Sequence, residues 1–202
     1  MFDSARQESP LIERMPYDVP ASAPADAGVT LREPPRYGYI NLRGNPDDAA
    51  FLDAVEGEFG CRLPLEPNTV IAADAASAIW LGPDEWYLRT APGAERDTAA
   101  TLERALASQH VAINTVGSGL ATLELGGAHA RDVLEKGCTL DLHPRMFAQG
   151  QCAQTLLAKA NVLLCPRGAQ PAYEIVVRRS LADYLFAWLA DAADEFGMST
   201  IH

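Results

Sequence analysis

The sequence has few cysteines and none of the common signatures of metal or nucleotide binding. The four cysteines are widely spaced and form no C-x-x-C pair: Cys61, Cys138, Cys152 and Cys165. Structural zinc sites usually draw their ligands from closely spaced pairs, so no zinc site is expected. G-x-G-x-x-G, P-loop and H-E-x-x-H motifs are also absent. We therefore predict four free thiols, and no metal or cofactor held by this chain.

Basic residues and long apolar runs are also scarce. Lysine and arginine number 16 against 27 acidic residues, giving a formal net charge of −11. This balance argues against a protein that binds nucleic acid or an anionic membrane. No apolar run approaches the roughly eighteen residues of a membrane span, and the N-terminus does not resemble a secretory signal. The composition predicts a soluble, cytoplasmic protein.

The first 26 residues differ from the rest of the chain. They are rich in proline and show neither helical nor strand periodicity, which predicts an extended or disordered tail. The apolar residues of this tail are Leu11, Ile12, Met15, Tyr17 and Val19. They leave open a second interpretation, in which the tail docks on a partner. Removing residues 1–26 would then weaken assembly and leave the domain folded, with ordered structure beginning near Val29.

The first half of the domain, at about residues 27–109, contains five predicted strands and two predicted helices. The strands are expected at 28–33, 36–42, 69–72, 77–81 and 85–90. The first helix is predicted to begin at Asn45-Pro46-Asp47-Asp48, which combines a capping Asn, a proline at the first helical position and two acids. Gly60 is expected to end this helix. The second helix is expected at 95–109.

The second half, at about residues 110–198, repeats this order. Its strands are expected at 111–115, 120–125, 152–158, 162–165 and 173–178. Gly117-Ser118-Gly119 is predicted to be a hairpin turn between the first two. A short helix is expected at 128–136 with Gly137 as its C-cap, and the last helix is predicted to begin at the capping box formed by residues 180–183. The apolar stripe of that helix is Leu181, Tyr184, Leu185, Trp188, Leu189 and Phe196.

The repeated order of elements indicates a divergent duplication within residues 27–202. Each half reads as two strands, a helix, three strands and a helix. Strands that follow one another through short turns pair antiparallel, and helices with one apolar face cover such sheets. The predicted fold class is α+β, with antiparallel sheets covered by helices.

The segment between Lys136 and Thr155 is the part of the chain most suited to a function, because it packs Gly, Cys, His, Pro, Arg and Gln into one long loop. Asp141 either orients His143 as a base, caps a turn, or pairs with Arg145; we favour a structural role. Cys138 would need an electropositive, partly exposed setting to be reactive. Trp80 and Trp86 are most simply packing residues in adjacent strands.

Two blocks of the sequence resemble one known family. They are the run from Glu135 to Pro144 with Phe147, Gly150 and Cys152-Ala153-Gln154-Thr155, and the segment Ile79-Trp80-Leu81-Gly82-Pro83-Asp84-Glu85-Trp86-Tyr87-Leu88. Both look like the gamma subunit of heterotetrameric sarcosine oxidase, and Ser9-Pro10-Leu11 in the tail also fits. The resemblance covers roughly residues 28–200.

The resemblance implies a fold related to the folate-binding domain of the glycine-cleavage T-protein, itself a duplication of β2-α-β3-α units. It implies an accessory subunit of a complex that oxidatively demethylates sarcosine to glycine, producing hydrogen peroxide and methylenetetrahydrofolate. FAD, FMN, NAD, zinc and tetrahydrofolate would be bound by the alpha, beta and delta subunits, and this chain would dock chiefly on alpha.

No catalytic residue is carried over to this chain from the family. The residues that carry the family motif, and that are candidates for subunit contact, are Trp80, Gly82, Trp86, Gly137, Cys138, Asp141, His143, Pro144, Arg145, Phe147, Gln154 and Thr155. One alternative is a stand-alone folate-binding protein of the iron–sulfur maturation type, since Lys136-Gly137-Cys138 matches the start of that group's motif. Another is an independent enzyme that uses Cys138 or His143.

Overall fold

A computed structural model describes residues 8–14, 27–73, 76–168 and 171–201 of the chain. The strands are Val29–Arg32 (β1), Gly38–Arg43 (β2), Val70–Ala72 (β3), Ser77–Gly82 (β4), Glu85–Thr90 (β5), Ala112–Thr115 (β6), Leu120–Gly126 (β7), Ala153–Leu157 (β8), Ala160–Pro166 (β9), Ala172–Arg178 (β10) and Met198–Ile201 (β11). The α-helices are Ala49–Phe59 (α1), Glu95–Ala105 (α2), Ala130–Glu135 (α3) and Ala182–Ala193 (α4). Within these ranges, no helix has both the length and the apolar character needed to cross a membrane.

The strands form two sheets, and each sheet combines strands of one half with the first strand of the other half: sheet A has five strands of the second half and β1, and sheet B has four strands of the first half and β6. Sheet A has the order β11-β1-β7-β10-β9-β8, and sheet B has the order β3-β4-β5-β2-β6. Neighbouring strands are antiparallel except β1 and β11, which are parallel. The predicted α+β class and the predicted order of elements in each half are confirmed. The short strand β11 was not predicted.

The two sheets pack face to face, and helices cover their outer faces. Alternation along β9 shows the layers: Val162 and Leu164 join the core under α3 and α4, whereas Leu163 and Cys165 join the core between the sheets. A third core lies between sheet B and helices α1 and α2, with Trp86 fully buried in it. Both faces of β9 are therefore buried, which explains its apolar composition.

Helix α1 begins three residues later than predicted. Asn45 does not cap the helix, because its Oδ1 accepts the backbone N–H of Asp47 at 3.0 Å and closes a separate turn. Asp48 is the N-cap, and its Oδ1 accepts the backbone N–H of Ala50 at 2.9 Å. At the other end, Gly60 adopts φ 75° as the predicted left-handed cap.

The capping box predicted for helix α4 does not form. The helix begins at Ala182 after a 3-10 turn over residues 179–181, and no side chain caps it. Asp183 instead accepts a hydrogen bond from Arg14 Nε at 2.7 Å. In the predicted apolar stripe, Tyr184 remains 36% exposed, so the buried face is narrower there than the spacing indicates.

The hairpin predicted at Gly117-Ser118-Gly119 is wrong. These residues form a 3-10 turn, and the strands on either side of it belong to different sheets. Pairing of the chain with β2 continues past β6, since the backbone N–H of Val116 donates to Tyr39 O at 2.8 Å. The turn is thus the crossing from sheet B to sheet A. Smaller differences concern α2, which ends at Ala105, and α3, whose C-cap is Lys136 rather than Gly137.

Residues 8–14 pack on the folded domain, so ordered structure begins earlier than predicted. Leu11 is fully buried in the core of sheet A and its helices. The Ser9 hydroxyl donates to Glu33 at 2.5 Å, and Arg179 donates to the backbone carbonyl of Glu8 at 2.6 Å. Leu11 is therefore not available for a partner, and we now expect removal of the tail to destabilise the domain. The predictions for residues 1–7 and 15–26 lie outside the described residues.

Candidate functional site

The loop between α3 and β8 has a buried base. Four of its apolar side chains are at most 9% exposed: Cys138, Leu142, Phe147 and Cys152. Cys138, Leu142 and Phe147 belong to the core under α3 and α4, whereas Cys152 belongs to the core between the sheets. The loop is thus fixed to two layers of the fold, and its intervening residues are held in place.

The end of this loop also connects the two sheets. The backbone N–H of Cys152 donates to Asn68 O at 2.8 Å, and the N–H of Val70 donates to Gly150 O at 2.8 Å. A side-chain bond supports the same junction, because Gln154 Nε2 donates to Leu81 O at 2.7 Å. Strand β8 of sheet A is therefore tied to the region around β3 and β4 of sheet B.

The carboxylate of Asp141 has a structural role. Its Oδ1 accepts the backbone N–H of His143 at 2.9 Å, which closes an Asx turn. The ring of His143 turns back on the loop, where Nδ1 accepts the backbone N–H of Arg145 at 3.2 Å. Asp141 thus caps a turn and makes no hydrogen bond with the imidazole ring. This geometry favours the structural interpretation over a catalytic Asp–His pair.

The tip of the loop is exposed and chemically mixed. His143, Pro144 and Arg145 are all exposed, and Met146 beside them has 63% of its surface in contact with solvent. Met146 is the most exposed large apolar residue in the described part of the chain. The sequence prediction did not single it out, because an apolar residue in a loop is normally expected to turn inward. Above its buried base, the loop thus presents a tip with an apolar side chain next to a basic one.

The four cysteine side chains are buried, a setting in which thiols react poorly. All four are free thiols. Burial raises the pKa of Cys152 to about 12 and raises the pKa of Cys165 well above its ordinary value. A protonated, enclosed thiol is a poor nucleophile. A covalent or redox role for Cys152 and Cys165 is therefore not favoured, and Cys138 is itself only 9% exposed.

The Lys136-Gly137-Cys138 motif has a packing role. Lys136 pairs with Glu195 and donates to the carbonyl of Ala192 at the end of α4. Gly137 lies so close to Trp188 that a Cβ atom would approach the indole ring to 2.5 Å. The motif therefore fixes α3 against α4, and none of its residues lines either of the two larger cavities described below.

The remaining family-motif residues lie around the sheet junction. Trp80 and Trp86 are paired across β4 and β5, and the Trp86 indole donates to Pro64 O at 2.8 Å. They are packing residues, as predicted. Gly82 lies at the β-bulge that ends β4. Thr155 approaches the Cys138 sulfur at 3.9 Å.

A cavity of about 850 Å³ opens between the sheets on one side of the molecule. Its wall includes Tyr87 from sheet B, the 3-10 turn at 117–119, and Gln154 and Leu156 from β8. Leu156 is 49% exposed, which leaves an apolar side chain at the wall of the cavity. Arg178 is the one charged residue among the lining residues in the described ranges. The volume is in the range of small-molecule sites.

A second cavity, of about 200 Å³, lies between the sheets near the opposite end of β10. It contains a cluster of charged residues that the sequence prediction missed. Arg89 of β5 donates to Glu174 of β10 at 2.6 Å, and Arg167 also donates to Glu174. Glu174 is the one acidic residue in the otherwise apolar run of β10. An acid at such a position in the sequence predicts a buried basic partner.

Clusters of metal-binding side chains do not occur in the described ranges: no three His, Cys, Asp or Glu residues come together in a geometry that could hold an ion.

Comparison with known proteins identifies the family. The model of the family described as "Sarcosine oxidase, gamma subunit family" matches residues 43–195. The sarcosine oxidase subunit gamma of Corynebacterium sp. strain P-1 is 33% identical over 199 residues, which are 96% of this chain and 96% of that protein. The chain belongs to the sarcosine oxidase gamma subunit family. A second member of the gamma subunit family, from an Arthrobacter species, is also 33% identical, again over 96% of both chains.

Solved structures agree with the gamma subunit family and with the predicted fold. A chain of the heterotetrameric sarcosine oxidase from Corynebacterium sp. U-96, in complex with pyrrole 2-carboxylate, has a TM-score of 0.82 and 30% identity, and covers 96% of this chain and 98% of that one. The glycine cleavage system aminomethyltransferase T from Bartonella henselae has a TM-score of 0.64 at 14% identity, over 87% of this chain and 48% of that one. This second likeness confirms the T-protein-like fold, and only the fold.

Proposed function

We propose that this protein is the accessory gamma subunit of a heterotetrameric sarcosine oxidase, which converts sarcosine to glycine. The observation that carries the proposal is similarity along the whole chain, in sequence to gamma subunits and in structure to a chain of such an oxidase. The described residues add a chemical argument. Of the two groups that an independent enzyme would use, the Cys138 thiol is buried, and the Nδ1 atom of His143 accepts a hydrogen bond within its own loop.

The redox chemistry of the proposed complex belongs to its other subunits. We place FAD, FMN, NAD and zinc in the alpha, beta and delta subunits, and the methylenetetrahydrofolate-forming step in alpha. The test is co-expression of a tagged gamma chain with the neighbouring subunits. We expect a yellow, sarcosine-oxidising complex, whereas the purified gamma chain alone is colourless and inactive. Turnover of sarcosine by the isolated chain would contradict an accessory role.

We further propose that the tip His143-Pro144-Arg145-Met146 is a contact surface for the alpha subunit. A tip that is held by a buried base loses little conformational freedom on binding. Methionine and arginine are both enriched at protein interfaces. An apolar side chain as exposed as Met146 gains most from being covered.

The contact surface is tested with Met146→Glu, which places a charge in the proposed interface without touching the core. We expect about tenfold or greater weakening of assembly, measured by titrating the tagged chain against the remaining subunits, because an unpaired buried charge is strongly unfavourable. The control is Glu103→Lys, which changes the charge on the exposed face of α2, outside the proposed contact surface. Retained assembly by Met146→Glu, with an unchanged unfolding transition, would refute the contact surface and leave the accessory role standing.

A further inference from the structure

The small cavity between the sheets has an excess of positive charge. Its two arginines both donate to the same oxygen of Glu174, Oε2, and their side chains are 14% and 33% exposed for Arg89 and Arg167 respectively. The other acid in the wall, Glu124, is already paired with Arg32. Two guanidinium groups against one carboxylate leave a net charge of +1 in a partly enclosed space.

The hydrogen-bonding capacity of the cluster is also unfilled. Glu174 is 1% exposed at its side chain, and its second oxygen, Oε1, has no hydrogen-bond partner within the described ranges. Each guanidinium carries five N–H donors, and each arginine uses one of them in its hydrogen bond to Glu174. Arg89 is fixed further by the ring of Tyr37, which lies 4.6 Å from its Cζ atom. An unpaired buried carboxylate oxygen is costly, so it needs a donor from outside the cluster.

We propose that this cavity binds a small carboxylate that carries an N–H or O–H donor on the neighbouring carbon, as small amino acids and hydroxy acids do. The ligand's carboxylate would accept from the unused N–H groups of Arg89 and Arg167, since guanidinium and carboxylate match as planar, bidentate partners. The ligand's donor would pair with Glu174 Oε1 after a rotation of the carboxylate toward the cavity, because this oxygen is buried without a ligand. The volume of about 200 Å³ limits the ligand to a few heavy atoms.

The charge of the cluster separates this class of ligand from other anions. A monocarboxylate neutralises the net charge of +1, whereas a phosphate dianion would leave an uncompensated negative charge beside Glu174. A carboxylate without a donor, such as acetate, would satisfy the arginines and leave Oε1 unpaired. The site is therefore expected to discriminate glycine and glycolate from acetate. This expectation does not depend on the accessory role proposed above.

The test is an NMR titration of the full-length chain with four probes: glycine, glycolate, acetate and inorganic phosphate. We expect glycine and glycolate to shift the amide signals of Tyr37, Arg89 and Glu174 with dissociation constants of about 1 mM. Acetate is expected to bind roughly tenfold more weakly, because it leaves a buried acceptor unsatisfied. Equal shifts with all four probes would indicate a nonspecific anion effect and overturn the proposal.

Two variants and a control complete the experiment. Arg167→Gln is expected to weaken glycolate binding by about tenfold or more, since a charged hydrogen bond is lost. Glu174→Gln is expected to remove the preference for glycolate over acetate, which a purely structural ion cluster would not do. Arg178→Gln lies in the wall of the larger cavity and should leave binding unchanged. If variants that keep the wild-type unfolding transition bind like wild type, or if wild type binds no probe, the cluster is an ion bridge between sheets and the proposal fails.

Discussion

The side chain of Leu11 lies in the core under α3 and α4, although it precedes the first strand of the domain. Around it, Ser9 is hydrogen-bonded to Glu33 and Arg14 to Asp183. A residue that is fully buried contributes to stability as a core residue does, whatever the character of the surrounding sequence. The segment 8–14 thus belongs to the folded domain.

Replacing Leu11 by alanine is expected to lower the free energy of unfolding by about 2–5 kcal/mol, because the change removes buried methyl groups and leaves a cavity. Urea-induced unfolding followed by circular dichroism measures this loss. The control is Arg14→Ala, which removes an ion pair with side chains 48% and 60% exposed and should cost less than about 1 kcal/mol. A Leu11→Ala protein as stable as wild type would show that the segment does not pack on the domain in solution.

Residue types predicted the character of the loop at 138–152 but not which of its side chains reach the surface. The pattern of glycine, proline, histidine and arginine is enough to predict an ordered polar loop. Met146 and Leu142 are both apolar loop residues, yet one is 63% and the other 1% exposed. That difference is decided by which residues find space in the core of sheet A, and such space is a property of the assembled fold. The pairing of Arg89 with Glu174 could not be predicted from the sequence either, because it depends on how the two sheets pack together.

Among the elements, the contact between α3 and α4 depends on a glycine at the end of α3. A Cβ atom on Gly137 would lie 2.5 Å from the Trp188 ring, which is packed on the same core. Alanine at this position therefore requires Trp188 to move. Gly57 in α1 offers the opposite case, because a Cβ atom there would meet nothing within 4 Å.

This contrast predicts that a glycine-to-alanine substitution has opposite effects on stability at the two positions. Gly137→Ala is expected to destabilise the protein by about 1–3 kcal/mol through overpacking. Gly57→Ala is expected to stabilise it by roughly 0.5–1 kcal/mol, because glycine in a helix interior costs conformational entropy. Thermal unfolding of the two variants beside wild type is the measurement. Similar effects of the same sign would mean that the indole ring of Trp188 does not pack against Gly137.

Local signals located most elements well, and failed where a distant partner decides the outcome. Strand β5 and the left-handed cap at Gly60 have their predicted positions, because turn residues and alternation act locally. The hairpin at 117–119 was wrong because β2, far back in the sequence, pairs with β6. At the start of α4, Asp183 pairs with Arg14 instead of closing the predicted capping box. Both competitors lie far away in sequence.

On the scale of the whole molecule, the exchange of first strands makes the two halves interdependent. Sheet B is completed by β6 from the second half, and sheet A contains β1 from the first half. The core between the sheets draws Ile79 from one half and Val176 from the other. This arrangement supports a duplication in which neither half is a complete folding unit.

Separate expression of residues 1–109 and 110–202 tests this interdependence. Each fragment alone lacks one strand of its own sheet and exposes one face of the core between the sheets, so we expect no cooperative unfolding transition from either. Mixed in equal amounts, the fragments are expected to restore a cooperative transition in circular dichroism, because each supplies the strand that the other needs. The control is the 110–202 fragment with Val176→Asp, since a buried, unpaired carboxylate should prevent reassembly. Cooperative unfolding of either fragment by itself would contradict the dependence of each half on the strand donated by the other.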